Sequence, residues 1–147
     1  DAMQRLLEAE GPPGPVARWL DLVRELGTEG DRLHGYPGSP RFAAACLRPG
    51  DRALVCELEP READALRAEF RGDSRVGVHE RDGYEALLAL VPPREKRGLV
   101  LVDPPYEQAD EFDRLIASVA AAVKRWPTGA YAIWYPIKHG AASDRFL

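Results

Sequence analysis

Residues 98–106 read GLVLVDPPY, a short apolar run that ends in an acid, two prolines and a tyrosine. A continuous apolar run of this length predicts a short buried strand of a parallel sheet. The tetrapeptide at 103–106, which follows this run, predicts a loop at the carboxyl end of the strand, where open α/β sheets bind their ligands. The stretch therefore indicates an α/β protein whose ligand site includes residues 103–106.

The segments on either side of this stretch alternate between apolar runs and helical patterns from residue 36 onward. Ser39 is expected to be the N-cap of a helix, with Pro40 at its first helical position. The alternation is typical of strand-helix-strand units and so of a parallel sheet. Apolar runs predict further strands at residues 53–56, 76–79 and 130–134, the first of them covered on both faces. Helical spacing predicts helices at residues 39–47, 60–70, 84–90 and from Asp110 onward, the last with Phe112, Leu115, Ile116, Val119, Val123 and Trp126 on one face.

The first 35 residues have a different pattern, because their apolar residues fall only at helical spacing. One short stripe includes Met3, and a second extends from Val16 to Leu26. A proline- and glycine-rich turn separates the two stripes, and a polar loop with three glycines follows at 27–35. We therefore expect a small helical subdomain over residues 1–35 and an α/β domain over residues 36–147.

Length and composition narrow the class of protein. The chain has 147 residues, the size of one domain, and 45% apolar residues, enough to form a core. Its net charge of −4 lacks the positive field of many nucleic-acid binders. No apolar run is long enough to span a membrane, so we expect a cytoplasmic protein. Cys46 and Cys56 have no metal-ligand spacing, which predicts reduced core thiols and no metal site.

Acids follow three of the predicted strands, at the points where the strands end. They are Glu57, Asp82 with Gly83 behind it, and Asp103. If the ligand contains a nucleoside, Glu57 could accept both hydroxyl protons of a ribose, and Asp82 could accept from an adenine amino group. A structural interpretation is also open, because acids in such loops commonly cap helices. Their register across consecutive strands favours a ligand site.

The loop Asp103-Pro104-Pro105-Tyr106 has the parts needed for chemistry on an exocyclic amine. Such an amine is a poor nucleophile, because its lone pair is delocalised into the ring. A carboxylate and a backbone carbonyl that accept its N–H bonds would localise that pair, and the two prolines would hold those acceptors in place. Tyr106 could stack on the target base. The alternative is a Pro-Pro turn followed by a core aromatic residue.

These motifs, in this order and spacing, resemble the RlmJ family of bacterial 23S ribosomal RNA adenine-N6 methyltransferases, for which an older label concerned use of external DNA. The similarity extends from Tyr36 to about Ile137 and is much weaker before Tyr36. The matching blocks are Tyr36-Pro37-Gly38-Ser39-Pro40, Glu57-Leu58-Glu59-Pro60, Asp82-Gly83, Arg97-Gly98-Leu99 leading to Asp103-Pro104-Pro105-Tyr106, and Trp134-Tyr135-Pro136.

The resemblance implies a class I, Rossmann-like methyltransferase fold with a small helical insertion subdomain, and S-adenosylmethionine as cofactor. It implies that Ser39, Glu57, Asp82-Gly83 and Asp103 contact the cofactor. Asp103 would also be the catalytic acid, with Pro104, Pro105 and Tyr106 completing the pocket for the target base. The implied partner is 23S ribosomal RNA, and the full-length enzyme would be a monomer.

One part of the family pattern has no counterpart in residues 1–147. It is a histidine-containing segment with a glycine loop after the first strand, which holds the methionine end of the cofactor. The family also continues beyond the position of Leu147. The resemblance therefore implies an incomplete fold, and we expect the isolated piece to bind cofactor poorly and to be inactive.

Two alternatives remain open at this level. The same Asp-Pro-Pro-Tyr chemistry occurs in methyltransferases that act on amino groups of DNA bases. The second alternative is a nucleic-acid-binding protein without catalysis, in which basic side chains contact phosphates. Its candidates are Arg94, Lys96, Arg97, Lys124 and Arg125.

Overall fold

The fold is that of a computed structural model, which describes residues 14–29, 32–33 and 35–136. The predicted first helix around Met3 lies outside these residues. Among them, no helix is both long enough and apolar enough to cross a membrane.

Helices and strands alternate along the described chain. The helices are α1 (Gly14–Gly27), α2 (Ser39–Ala45), α3 (Pro60–Glu69), α4 (Gly83–Leu90) and α5 (Glu111–Arg125). The strands are β1 (Thr28–Glu29), β2 (Arg32–Leu33), β3 (Ala53–Glu57), β4 (Val76–Glu80), β5 (Leu99–Val102) and β6 (Ala130–Ile133). The mixed α/β class is confirmed, and each predicted strand from residue 53 onward is present to within one or two residues.

The strands form three two-stranded sheets. β1 and β2 pair antiparallel, so the predicted loop at 27–35 includes a short hairpin. β5 and β6 pair in parallel, with Leu99 opposite Ala130. β3 pairs with β4, and the N–H of Ala53 donates to the carbonyl of Arg75 at 2.9 Å. Each pair of strands in the described residues is therefore a separate two-stranded sheet.

The chain divides into two compact units. The first comprises Asp1–Val55 and Ala65–His79, and the second comprises Cys56–Asp64 and Glu80–Leu147. In the first unit, Leu20 and Val23 of α1 are buried. Trp19 of the same helix and Phe42 of α2 pack against them. The border between subdomains at residue 35 stays a prediction.

The start of α2 corrects one prediction. Ser39 is the first helical residue rather than the N-cap, which is Gly38. The carbonyl of Gly38 accepts hydrogen bonds from the N–H groups of Arg41 and Phe42, at 3.0 and 3.3 Å, and so begins the helix one residue early. Pro40 still lies in the first turn, where its missing N–H costs nothing.

In the second unit, α4 and α5 contact each other and bury one side of the β5–β6 sheet. The core there is formed by Leu87, Val91, Ala122 and Trp126, against which Val100, Val119 and Tyr131 pack. The opposite side is open, since Leu99 is 67% and Leu101 is 60% exposed. The prediction that β5 is buried is therefore correct for only one of its sides in the described residues. The strand at 53–56, predicted to be covered on both faces, is also partly open, since Leu54 is 51% exposed.

Two further expectations about burial need correction. Ile116 and Val123 are exposed, because the buried side of α5 is turned toward Leu115, Ala122 and Trp126. Cys46 is the C-cap of α2 and is exposed. Both cysteines are free thiols, as predicted. Burial raises the pKa of the half-buried Cys56 thiol.

The turn between α5 and β6 allows a stability test. A methyl group added at Gly129 would lie 2.5 Å from Cε3 and 2.7 Å from Cδ2 of the buried Trp126 ring. We expect Gly129→Ala to lower the free energy of unfolding by about 1 to 3 kcal/mol, because the indole must shift within a packed core. Urea denaturation followed by tryptophan fluorescence measures this loss.

The matched control for this test is Gly83→Ala. Gly83 begins α4, and a methyl group there meets no atom within 4 Å. Its effect on the free energy of unfolding should lie within about 0.5 kcal/mol of zero. Equal effects of the two substitutions would contradict the packing argument at Gly129.

Candidate functional site

The predicted acids of the second unit lie at the carboxyl ends of strands. Glu57 ends β3, and the N–H of Arg81, just beyond β4, donates to its carbonyl at 2.9 Å. Asp82 follows Arg81 directly. On the other sheet, Asp103 follows β5, and the N–H of Trp134 donates to the carbonyl of Val102 at 2.9 Å. The loops after β3, β4, β5 and β6 therefore contribute polar or aromatic side chains.

Glu57 is held in place by the chain that follows it. Its Oε1 atom accepts a hydrogen bond from the N–H of Glu59 at 2.9 Å. The side chain is half-buried, so water reaches only part of it. This contact fixes one carboxylate oxygen, and the second oxygen can accept from the hydroxyl groups of a ligand.

Asp82 caps helix α4. Its Oδ1 atom accepts from the N–H groups of Tyr84 at 2.8 Å and Glu85 at 3.4 Å, and its Oδ2 atom accepts from Arg114 at 2.9 Å. Burial by itself would raise the pKa of Asp82, but these hydrogen bonds outweigh it and hold the pKa below its ordinary value. Asp82 thus has the capping role that acids commonly have in such loops. Because its pKa is lowered, its carboxylate is charged.

Arg114 and Glu111, at the start of α5, enclose the side chain of Tyr84. The guanidinium of Arg114 lies 4.7 Å from the centre of the Tyr84 ring, within the range of a cation–π contact. The Tyr84 hydroxyl donates to Oε1 of Glu111 at 2.7 Å. Glu111 is only 4% exposed. Burial, followed by the hydrogen bond to Glu111, raises the pKa of Tyr84, so this tyrosine stays protonated and donates.

Tyr106 is held in a strained conformation. Its φ is 55°, in the left-handed region that costs a non-glycine residue about 1 to 2 kcal/mol. Its hydroxyl donates to the carbonyl of Trp134 at 2.6 Å, and its ring centre lies 4.8 Å from that of Phe112 and 6.2 Å from that of Trp134. These contacts offset the strain and fix the orientation of the ring.

Tyr106 of the Asp103 loop packs against Phe112, which follows Glu111 in α5. Burial raises the pKa of Tyr106, and the negative charges of Asp103 and Glu111 raise it further. Asp103 itself is exposed, and Pro104 is half-buried. Asp82 contacts Arg114 and Tyr106 contacts Phe112, so both residues contact the start of α5, and Asp103 lies three residues before Tyr106 in the chain.

The remaining predicted residues have simpler positions. Gly83 is the first residue of α4, directly behind Asp82, and Pro105 is exposed. Glu57 is connected to the Asp82 loop through the Arg81 hydrogen bond. Ser39 belongs to the first unit, where it begins α2. Among the described residues, no group of three or more potential metal ligands occurs.

Two residues of this region, Glu111 and Arg114, were missed by sequence reasoning. A third residue, Trp134, was noted only as part of a family motif. Glu111 had a recognisable signal, because it lies on the same helical stripe as Leu115 and is an acid on an apolar face. Trp134 was predicted as the last residue of a strand, but it lies just after β6 and is 56% exposed, which its apolar character did not indicate. Arg114 had no signal, because exposed arginines are common on helices.

The alternation of strands and helices defines an α/β protein, and its acids lie at the ends of strands, where open α/β sheets bind their ligands. A family model described as "Ribosomal RNA large subunit methyltransferase D, RlmJ" matches residues 1–147. The chain therefore belongs to the RlmJ family, as its motifs predicted.

Individual relatives agree with this assignment. Ribosomal RNA large subunit methyltransferase J of Haemophilus influenzae is 41% identical over 137 residues, and the protein of that name from Escherichia coli K12 is 36% identical over the same length. Each match covers 93% of this chain and 49% of the relative. The crystal structure of protein LPL1258 from Legionella pneumophila superposes with a TM-score of 0.89 at 34% identity, covering 97% of this chain and 53% of that one. The chain thus spans about half the length of these proteins.

Proposed function

We propose that this chain contributes the base-binding and part of the cofactor-binding site of an S-adenosylmethionine-dependent methyltransferase. The target is the N6 amino group of an adenine in 23S ribosomal RNA, and the complete fold is the Rossmann-like class I fold. The observation that supports this most strongly is that Tyr106 of the Asp103–Tyr106 loop and the charged carboxylate of Asp82 both contact the start of α5. Two relatives named as ribosomal RNA methyltransferases support the substrate class.

The acceptors present suit a nucleoside cofactor. Glu57 is a half-buried carboxylate with one oxygen fixed by the Glu59 N–H, which suits the two hydroxyl groups of a ribose. Asp82 stays charged, which suits an adenine amino group. Gly83 leaves open space beside it. Ser39 and Asp103 are the remaining proposed contacts, and the bound cofactor would supply an electrophilic methyl group.

The Asp103 loop would prepare the target amine. The Asp103 carboxylate accepts one N–H of the amino group, and a backbone carbonyl of the Pro104-Pro105 pair accepts the other. The two prolines restrict the backbone that carries this carbonyl, so little reorganisation of it is needed as charge develops on nitrogen. Tyr106, held by Trp134 and Phe112, presents a rigid ring for stacking, a contact worth about 1 to 3 kcal/mol per base.

The proposal is tested by methyl transfer from labelled S-adenosylmethionine in the full-length protein. The substrates are an unmodified 23S ribosomal RNA transcript and a DNA duplex of matching sequence. We expect label in RNA only, recovered as N6-methyladenosine after digestion. Label in DNA would favour a DNA amino-methyltransferase, and salt-sensitive RNA binding without any transfer would favour a non-catalytic binder.

A further inference from the structure

Asp82, Tyr84, Glu111 and Arg114 contact one another where the start of α4 meets the start of α5. Arg114 bonds Asp82 and covers the ring of Tyr84, while the N–H of Tyr84 bonds the same Asp82 carboxylate. Tyr84 in turn donates to the buried Glu111. Each member thus restrains at least one other, and a shift of Arg114 would release both Asp82 and Tyr84.

The hydrogen bonds of Asp82 decide where a ligand could bind it. A carboxylate oxygen accepts about two hydrogen bonds. Oδ1 already accepts two backbone N–H groups, and Oδ2 accepts one N–H from Arg114. Among the contacts of the described residues, this leaves one acceptor position, and it lies on Oδ2, the oxygen that Arg114 holds.

We propose that Arg114 is a positioning residue of the cofactor site, which directs the remaining acceptor position of Asp82 toward the amino group of the bound nucleoside. This inference rests on the proposed function. Arg114 does not touch the reacting atoms, and its effect passes through the Asp82 carboxylate. Loss of the guanidinium lets the carboxylate turn about its side-chain bonds, although the backbone cap at Oδ1 remains.

An arginine at the other end of α5 provides a matched control. Arg125 donates from Nη1 to the carbonyl of Leu88 in α4 at 2.8 Å. It therefore also connects α5 to α4, but near the last turn of α4 and away from Asp82. A purely structural role of Arg114 predicts that removal of either arginine has the same consequences.

The experiment measures steady-state methyl transfer to ribosomal RNA with Arg114→Met, Arg114→Lys and Arg125→Met in the full-length protein. We expect Arg114→Met to raise the KM for S-adenosylmethionine at least about 10-fold while kcat changes by less than about 2-fold, since a lost ligand-orienting contact acts mainly on binding. Arg114→Lys should give a smaller increase, because an ammonium keeps the charge but not the planar fork. Arg125→Met should leave this KM unchanged.

The outcomes separate the two proposals. An inactive wild-type protein would overturn the proposed function and this inference with it. An active wild-type protein with an unchanged KM in both Arg114 variants overturns only the inference, as does an equal rise in KM for Arg114→Met and Arg125→Met. If Arg114→Met does not fold, the KM values of Arg114→Lys and Arg125→Met are compared instead. A higher KM in Arg114→Lys alone supports the inference, and equal KM values overturn it.

Discussion

Replacement of Asp103 by alanine in the full-length protein is expected to lower the rate of methyl transfer by about 100- to 1,000-fold, with substrate binding largely retained. The reason is electrostatic. Removal of one preorganised group that stabilises charge in a transition state typically costs this much. Asp103 is exposed, so its loss should not disturb the core. Single-turnover transfer to 23S ribosomal RNA, with thermal unfolding of the same sample, measures both effects.

The matched control for Asp103 is Glu107→Ala. Glu107 is another exposed acid, directly after Tyr106 on the same loop. Its removal changes the charge of the loop by the same amount without removing the proposed acceptor. We expect a rate within about 3-fold of the wild type, as for surface charges in general. If Asp103→Ala behaved like this control, the proposed catalytic centre would have to be abandoned.

Replacement of Glu57 by alanine is expected to weaken cofactor binding by about 10- to 100-fold. Hydrogen bonds to a charged group contribute about 1.5 to 3 kcal/mol, and a ribose would lose such bonds here. The half-buried position of Glu57 increases the effect, because water replaces the carboxylate poorly. Isothermal titration of S-adenosylmethionine into the full-length protein measures the dissociation constant directly.

Glu59→Ala provides the control for this second test. Glu59 is an exposed acid two residues away, and only its backbone N–H contacts the Glu57 carboxylate. Alanine keeps that N–H and removes the charge. The dissociation constant should therefore stay within about 3-fold of the wild-type value. A comparable loss in both variants would indicate a general effect of negative charge rather than a specific contact of Glu57.

Sequence patterns predicted the local parts of this molecule well. The apolar runs located β3, β4, β5 and β6, because a buried strand needs a short continuous run of apolar residues. Helical spacing located the five described helices, because a helix with one buried side repeats apolar residues every three to four positions. The motifs also identified the RlmJ family, which the family model and the relatives confirm.

Burial was predicted less well. Leu99 and Leu101 have apolar side chains and yet are largely exposed in the described structure, and Ile116 is 42% exposed. An apolar pattern states that a side can be buried, but burial needs a second layer that lies against it. Only the arrangement of α4 and α5 over one side of the β5–β6 sheet decided which residues are covered.

The amino-acid sequence by itself determined the α/β class, the family and the positions of Glu57, Asp82 and Asp103 at the ends of strands. Tertiary structure alone decided how those acids are held. The Arg114–Asp82 contact joins residues 32 positions apart, and Tyr106 bonds a carbonyl 28 positions away. Periodicity and motifs are local properties, whereas such contacts depend on how α4, α5 and the two strands β5 and β6 pack together.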